Sequence, residues 1–178
     1  MAKKSKKTIS PRLNLVFVCT GNTCRSPMAE YIFKDFLRKK KMFTKYAVSS
    51  SGVYATDGDK MTKEAAAACT EMGVKTDGKH KARLLTIDII QNADIIVCMT
   101  DAHRQSLTAS KTYLYASGDG AARIIGTAAE LIGSDIDDPY GGGEAEYRAA
   151  AESILSMCEP LLTAIISFRE SRPKFKEK

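Results

Sequence analysis

The pattern of apolar runs predicts an α/β fold, a parallel sheet with helices on both faces. Three observations predict it. Residues 13–18, Leu-Asn-Leu-Val-Phe-Val, are β-rich and mostly apolar, as a buried parallel strand is. Ala93–Met99 is a second run of the same kind. Between and after these runs lie stretches with apolar residues three and four apart, and strands alternating with helices build a parallel sheet. Ligands bind such sheets at the carboxyl ends of the strands, and the first strand delivers Cys19 to that edge.

The elements follow in order. The first strand runs into Cys-Thr-Gly-Asn-Thr-Cys-Arg-Ser-Pro, residues 19–27. A helix then begins, with Ser26 as N-cap and Pro27 as its first residue. Met28, Ile32 and Phe36, beside Ala29, Phe33 and Leu37, give it a broad apolar face. A strand over Tyr46–Ser51 is closed by Gly52. A helix over about residues 60–72 carries Met61, Ala65, Cys69 and Met72 on one side, and Gly73 ends it. A short helix starts near Asp101 after the Ala93–Met99 strand, and Ala122–Thr127 is a further strand. Residues 133–143 form a polar, Gly-rich loop around Asp138-Pro139. The last helix runs from about Glu144 to Phe168, with Tyr147, Ala151, Ile154, Cys158, Leu161 and Ile165 on its buried side and a kink at Pro160.

A chain of 178 residues fits one domain, and its 44% hydrophobic and 27% charged content is ordinary for a globular protein. No apolar run is read as long enough to span a bilayer, and no apolar segment of signal-peptide length follows the basic N-terminus. The net charge of +6 sits at the ends. Residues 1–12 hold five basic and no acidic residues, and residues 169–178 hold five basic and two acidic. The remaining body, residues 13–168, holds 17 basic and 19 acidic residues. The organisation is therefore a basic disordered tail over 1–12, one domain over 13–168 and a charged tail over 169–178. The body lacks the charge footprint of a nucleic-acid-binding domain, and neither nucleic acid nor membrane is an expected partner.

There are five cysteines, an odd number, mostly in apolar surroundings. This argues against a secreted disulfide framework and for a reducing, cytoplasmic location. No Cys/His spacing matches a zinc site, and there are only two histidines, so no metal or cofactor is expected.

Cys19, five residues and Arg25 between a strand and a helix form a chemical unit. Gly21 and Asn22 tolerate left-handed backbone geometry, so the loop Thr20–Cys24 can curl its N–H groups inward as an anion nest. The following helix aims its positive end at the same point. Arg25 supplies a planar fork for two phosphate oxygens. A thiol at the floor of this cradle is expected to have its pKa lowered from about 8.5 toward or below neutral, and the thiolate can attack phosphorus.

The string Val-Cys-Thr-Gly-Asn-Thr-Cys-Arg-Ser-Pro-Met-Ala-Glu resembles the signature of the low-molecular-weight protein tyrosine phosphatases. The resemblance extends over about residues 13–168, because an Asp-Pro before the last helix also matches, here Asp138-Pro139-Tyr140. It implies a single three-layer domain with a four-stranded parallel sheet flanked by helices, and an enzyme that hydrolyses phosphotyrosine on proteins through a cysteinyl-phosphate intermediate.

The leaving oxygen needs a proton. Asp135, Asp137 and Asp138 cluster in the loop. Pro139 stiffens the backbone after Asp138, which makes Asp138 the general acid, with Asp137 as the fallback; the family motif makes the same choice. The resemblance further implies that Ser26 hydrogen-bonds the Cys19 sulfur and that Asn22 holds the loop's strained shape, braced by Ser50 and His80. It places Tyr140 as an aromatic wall of the cleft. Cys24 is a candidate redox partner that forms a disulfide with Cys19 under oxidant, and a small buried loop residue otherwise.

Thr23 departs from the family pattern, which has a bulky aliphatic residue there. Threonine is similar to the bacterial protein arginine phosphatases, so phosphoarginine is the alternative substrate. An arsenate reductase lacks support because a relay cysteine pair is missing near Cys98, and an inactive phosphate-binding module is disfavoured because Cys19, Arg25 and Asp138 are all present. The expected partners are phosphorylated proteins, with inorganic phosphate as product and inhibitor, and the expected state is a monomer.

Overall fold

A computed structural model of the chain describes residues 12–119 and 124–171. Strand β1 (Leu13–Cys19) leads into helix α1 (Arg25–Lys39). Strand β2 (Tyr46–Gly52) and helix α2 (Lys63–Glu71) follow. Then come α3 (Ile87–Asn92), β3 (Ile95–Cys98), α4 (Asp101–Ala109), α5 (Lys111–Ala116), β4 (Ile124–Thr127), α6 (Ala128–Ile132) and α7 (Glu144–Ser171).

The four strands pair in the order β2-β1-β3-β4, and every pairing is parallel. This is the α/β three-layer architecture expected from the sequence. The register puts Cys19 opposite Gly52 and Val18 opposite Cys98, so the strands end together at one edge.

Alternation along β1 divides the core. Leu13, Leu15, Phe17 and Cys19 face the layer that holds the buried sides of α1, α2 and α7. Val16 and Val18 face the opposite layer with Ile90, Leu107 and Ala116. A strand covered on both faces has no room for polar alternation, which is why β1 reads as a nearly continuous apolar run. Phe17 meets Phe33 of α1 edge to face at 5.8 Å.

Several boundaries differ from the sequence expectation. Helix α1 begins at Arg25 with Cys24 in the N-cap position and no side-chain cap. Ser26 is therefore not the cap; its hydroxyl is committed to Cys19 and Asn22 instead. Pro27 still lies in the first turn, where its missing N–H leaves no bond unmade. Helix α2 starts later than expected because Thr62 caps it, accepting from the Ala65 N–H. Gly73 follows with φ of 74°, the left-handed geometry of a C-terminal stop. Helix α7 continues on both sides of Pro160 and extends to Ser171.

The body also exceeds residues 13–168. The Arg12 guanidinium donates to the Tyr46 carbonyl, and Arg169 is buried and donates to the Lys45 carbonyl. Both arginines belong to the folded unit rather than to tails. The rest of the expected tails, residues 1–11 and 172–178, lies outside the described residues, as do Ala122 and Arg123 of the expected fourth strand.

Among the described residues α7 is long and apolar enough, by composition, to cross a membrane, contrary to the sequence expectation. Here its apolar side, including Ile154, Cys158, Leu161 and Ile165, packs into the core beneath the sheet.

Candidate active site

The loop between β1 and α1 is held from below by a dense set of hydrogen bonds. Asn22 has φ of 55° and is fully buried. A non-glycine residue keeps that conformation only where its surroundings over-determine it. Here they do. Its amide nitrogen donates to the Ser26 and Ser50 hydroxyls, both at 2.9 Å. Its amide oxygen accepts from the Arg83 N–H at 2.9 Å, and His80 Nε2 lies 2.9 Å from its carbonyl. Ser50 in turn donates to Glu30 at 2.6 Å.

The loop is also tied to the segment after β2. Val53 N–H donates to the Cys19 carbonyl and Tyr54 N–H to that of Thr20, each at 3.0 Å. Gly52 sits so close beneath that a Cβ there would lie 2.4 Å from the Thr20 carbonyl. A side chain at this strand end would push into the loop itself.

Cys19 is buried, and its sulfur lies 2.9 Å from the Ser26 hydroxyl. Burial pushes the Cys19 thiol up from its ordinary value, against the expectation of a lowered one. The Ser26 hydroxyl, the Ser26 and Asn22 N–H groups and the Arg25 charge all pull in the other direction. The Arg25 charge is the smallest of these influences, and its Nη2 donates to Asp138 Oδ2 at 2.7 Å.

The three acids of the 133–143 loop separate by role. Asp138 contacts Arg25 and has its side chain 52% exposed to the cleft and solvent. Asp135 accepts from the Asp101 N–H and ties the loop to α4. Asp137 is exposed and is not part of the cleft wall. The loop's height is set by Ile136, fully buried, whose N–H donates to the Met99 carbonyl and whose own carbonyl accepts from Arg25.

Cys19, Thr20, Gly21, Thr23, Cys24, Arg25, Asp138 and Tyr140 therefore line one cleft of about 460 Å³. Asn22, Ser26, Ser50 and His80 lie behind it as braces. Tyr54 and Tyr140 line it as well, each 73% exposed. Cys24 and Cys19 are both free thiols, and Cys24 is turned toward the Tyr147 hydroxyl at 3.4 Å and Thr62 at 3.6 Å. Such a site can hold a phosphoryl group over a sulfur nucleophile with an acid beside it.

The family model for low molecular weight phosphotyrosine protein phosphatases matches residues 14–171. The chain belongs to that family. This low-molecular-weight phosphatase is a cysteine-dependent hydrolase, and its substrates are phosphorylated proteins. It is 34% identical to the low molecular weight protein-tyrosine-phosphatase PtpB of Staphylococcus haemolyticus (strain JCSC1435), over 85% of this chain and 99% of that protein. It is 31% identical to the protein-arginine-phosphatase of Bacillus subtilis (strain 168), over 84% of this chain and 94% of that one. Among solved structures, a cysteine-to-serine mutant of the YwlE arginine phosphatase with a phosphorylated active-site serine superposes with a TM-score of 0.77 at 28% identity, covering 90% of this phosphatase and all of that chain.

Sequence reasoning missed several residues of the phosphatase site. Tyr54 forms a cleft wall, Glu30 anchors Ser50, and His103 reaches the hydroxyl of Thr20 at 2.9 Å. Topology carried the signal for His103. β3 lies beside β1, so residues just after β3 fall next to Cys19.

Proposed function

We propose that this phosphatase hydrolyses phosphotyrosine on proteins, with Cys19 as nucleophile, Arg25 as phosphate clamp and Asp138 as general acid. The observation that carries the reading is the pair of exposed rings, Tyr54 and Tyr140, lining the cleft that has Cys19 at its floor. Aromatic walls favour a flat aromatic substrate group by stacking.

The Cys19 thiolate attacks phosphorus, and the bond to the tyrosine oxygen breaks. Asp138 gives that oxygen its proton, because a tyrosine leaving group has a pKa of about 10. Asp138, now ionised, takes a proton from water as the water attacks the thiophosphoryl group, releasing phosphate and the Cys19 thiolate. Arg25 and the N–H groups of residues 20–24 stabilise the equatorial oxygens in both steps. An arriving phosphoryl dianion competes with Asp138 for Arg25, and this exchange frees the carboxyl group to face the leaving oxygen. Ser26 supports the thiolate, and Asn22, braced by Ser50 and His80, keeps the loop curled.

Thr23 supports a second reading, phosphoarginine. It lines the cleft with a short polar side chain where a bulky aliphatic one would fill space. The named arginine phosphatases are relatives of comparable similarity. Rates on phosphotyrosine and phosphoarginine peptides, for the wild type and Thr23→Ile, decide between the two. Phosphotyrosine turnover that survives in both proteins, with phosphoarginine untouched by either, supports the first reading. Phosphoarginine turnover that Thr23→Ile abolishes supports the second.

Inorganic phosphate leaves through the same cradle, and competitive inhibition by added phosphate checks its place there. Cys24 lines the cleft beside the nucleophile and serves as the partner for a reversible disulfide with Cys19; mass spectrometry after mild peroxide checks for that bond. We also infer a cytoplasmic monomer, with one phosphatase domain and short charged ends. The odd number of cysteines, all free, supports a reducing location. Cell fractionation and light scattering test location and monomer.

A further inference from the structure

The phosphate loop is clamped unevenly. On the β2 side, Asn22, Cys19 and Thr20 are tied by Ser50, His80, Arg83 and the backbone of Val53 and Tyr54. On the β3 side, among the described residues, one side chain reaches the Thr20 hydroxyl: His103 Nε2, at 2.9 Å. His103 is itself buried at the start of α4. Its other ring nitrogen, Nδ1, lies 2.8 Å from the Thr100 hydroxyl, and that hydroxyl also accepts the His103 backbone N–H as the N-cap of the helix. Both ring nitrogens are thus engaged by hydroxyls, and the ring cannot turn without breaking both contacts.

The electrostatic setting fits a neutral ring. Burial, and then the Arg25 charge, push the His103 pKa down to about 4, while Asp138 and Asp135 pull weakly the other way. An uncharged imidazole beside Arg25 does not compete with it for an anion. A neutral ring carries one donor and one acceptor, so the chain Thr100–His103–Thr20 has two consistent settings. In one, the Thr100 hydroxyl donates to Nδ1 and Nε2–H donates to Thr20, leaving the Thr20 proton free for a group in the cleft. In the other, Nδ1–H donates to Thr100 and the Thr20 hydroxyl donates to Nε2. In either setting Thr20 Oγ1 is fixed at the cleft wall, one residue after the nucleophile.

We propose that His103 is a positioning residue of the phosphatase, acting through Thr20 to fix the first turn of the phosphate loop. The proposal rests on the phosphatase reading, which is tested separately by turnover of para-nitrophenyl phosphate in the wild type and its loss in Cys19→Ser.

The test is a double-mutant cycle on that substrate with His103→Ala, Thr20→Val and the pair, together with His103→Gln. The Gln amide nitrogen reaches about where Nε2 lies. Each of His103→Ala and Thr20→Val is expected to lower kcat/KM about tenfold, as for one positioning hydrogen bond. The pair is expected to lose about the same tenfold, because both changes remove one contact, whereas independent effects would multiply to about a hundredfold. His103→Gln is expected to recover most of the loss. A purely structural histidine predicts lower thermal stability in His103→Ala but an inert Thr20→Val. Wild-type kcat/KM in Thr20→Val, multiplying losses in the pair, or a His103→Gln as impaired as His103→Ala each overturns the proposal. The Thr20→Val arm stands even where His103→Ala does not fold.

Discussion

At Cys19 two opposing influences meet, and burial outweighs the neighbours that oppose it. Taking a thiolate out of water raises its pKa, and burial is the largest influence here. The largest influence in the opposite direction is the Ser26 hydroxyl, 2.9 Å from the sulfur. Ser26 also accepts from the Asn22 amide and lies 3.3 Å from the Ser51 carbonyl, so its one proton serves either that carbonyl or the sulfur. Replacing Ser26 by Ala removes the hydroxyl and leaves an Asn22 donor unpaired in a buried place. The Cys19 pKa is then expected to rise further, so less thiolate exists at neutral pH. Alkylation of Cys19 by iodoacetamide at pH 7 is expected to slow by about tenfold or more, matching the loss of one such bond. An unchanged rate would show that the loop amides alone hold the thiolate.

At the scale of elements, the end of β2 is as constrained as the loop it supports. The sequence reading took Gly52 as a strand stop. In the fold its missing side chain is what lets β2 and the loop approach, with the Thr20 carbonyl, Ala55 Cβ and Asn22 nitrogen all within 3.0 Å of where a Cβ would stand. Gly52→Ala is expected to destabilise the fold by about 1–3 kcal/mol, as overpacking does. It is also expected to cut kcat on para-nitrophenyl phosphate more than an equally destabilising core change such as Ile154→Val, because the displaced atoms belong to the loop. Denaturant melts and kinetics on the two variants check both parts. Elements were legible in the sequence where a long period or an unbroken apolar run existed, as in β1, α1, β3 and α7. The short helices α3, α5 and α6, five or six residues each, were not expected, because so few residues show no helical period. The same contrast holds in the site. Cys19, Arg25 and Asp138 lie in recognisable local strings. His103 and Glu30 act across 83 and 20 residues of chain, and nothing local marks them. The expected lowering of the Cys19 pKa failed for a related reason, since a motif shows the charges near a thiol but not how deeply it is buried.

For the whole molecule, the position of His103 ties stability to pH. It lies between the β3–α4 junction and the phosphate loop, buried, with a pKa pushed down to about 4. In the unfolded chain a histidine has a pKa of about 6.5. Above that value the ring is neutral in both states and contributes no pH dependence. Between about 6.5 and 4 the unfolded chain binds a proton that the native state does not, so stability falls as pH falls through this window. The slope from this one group is at most about 1.4 kcal/mol per pH unit. The groups that face the ring are Arg25 from α1 and Asp138 and Asp135 from the loop before α7. The range to measure is about pH 5–7, which brackets the unfolded-chain histidine value. His103→Gln keeps the contact to Thr20 but cannot titrate, and His80 is present in both proteins. The difference in unfolding free energy between wild type and His103→Gln, measured by urea denaturation across pH 5–7, is expected to shift steadily in favour of the variant as pH falls. Parallel curves would show that His103 takes up its proton equally in the folded and unfolded chains.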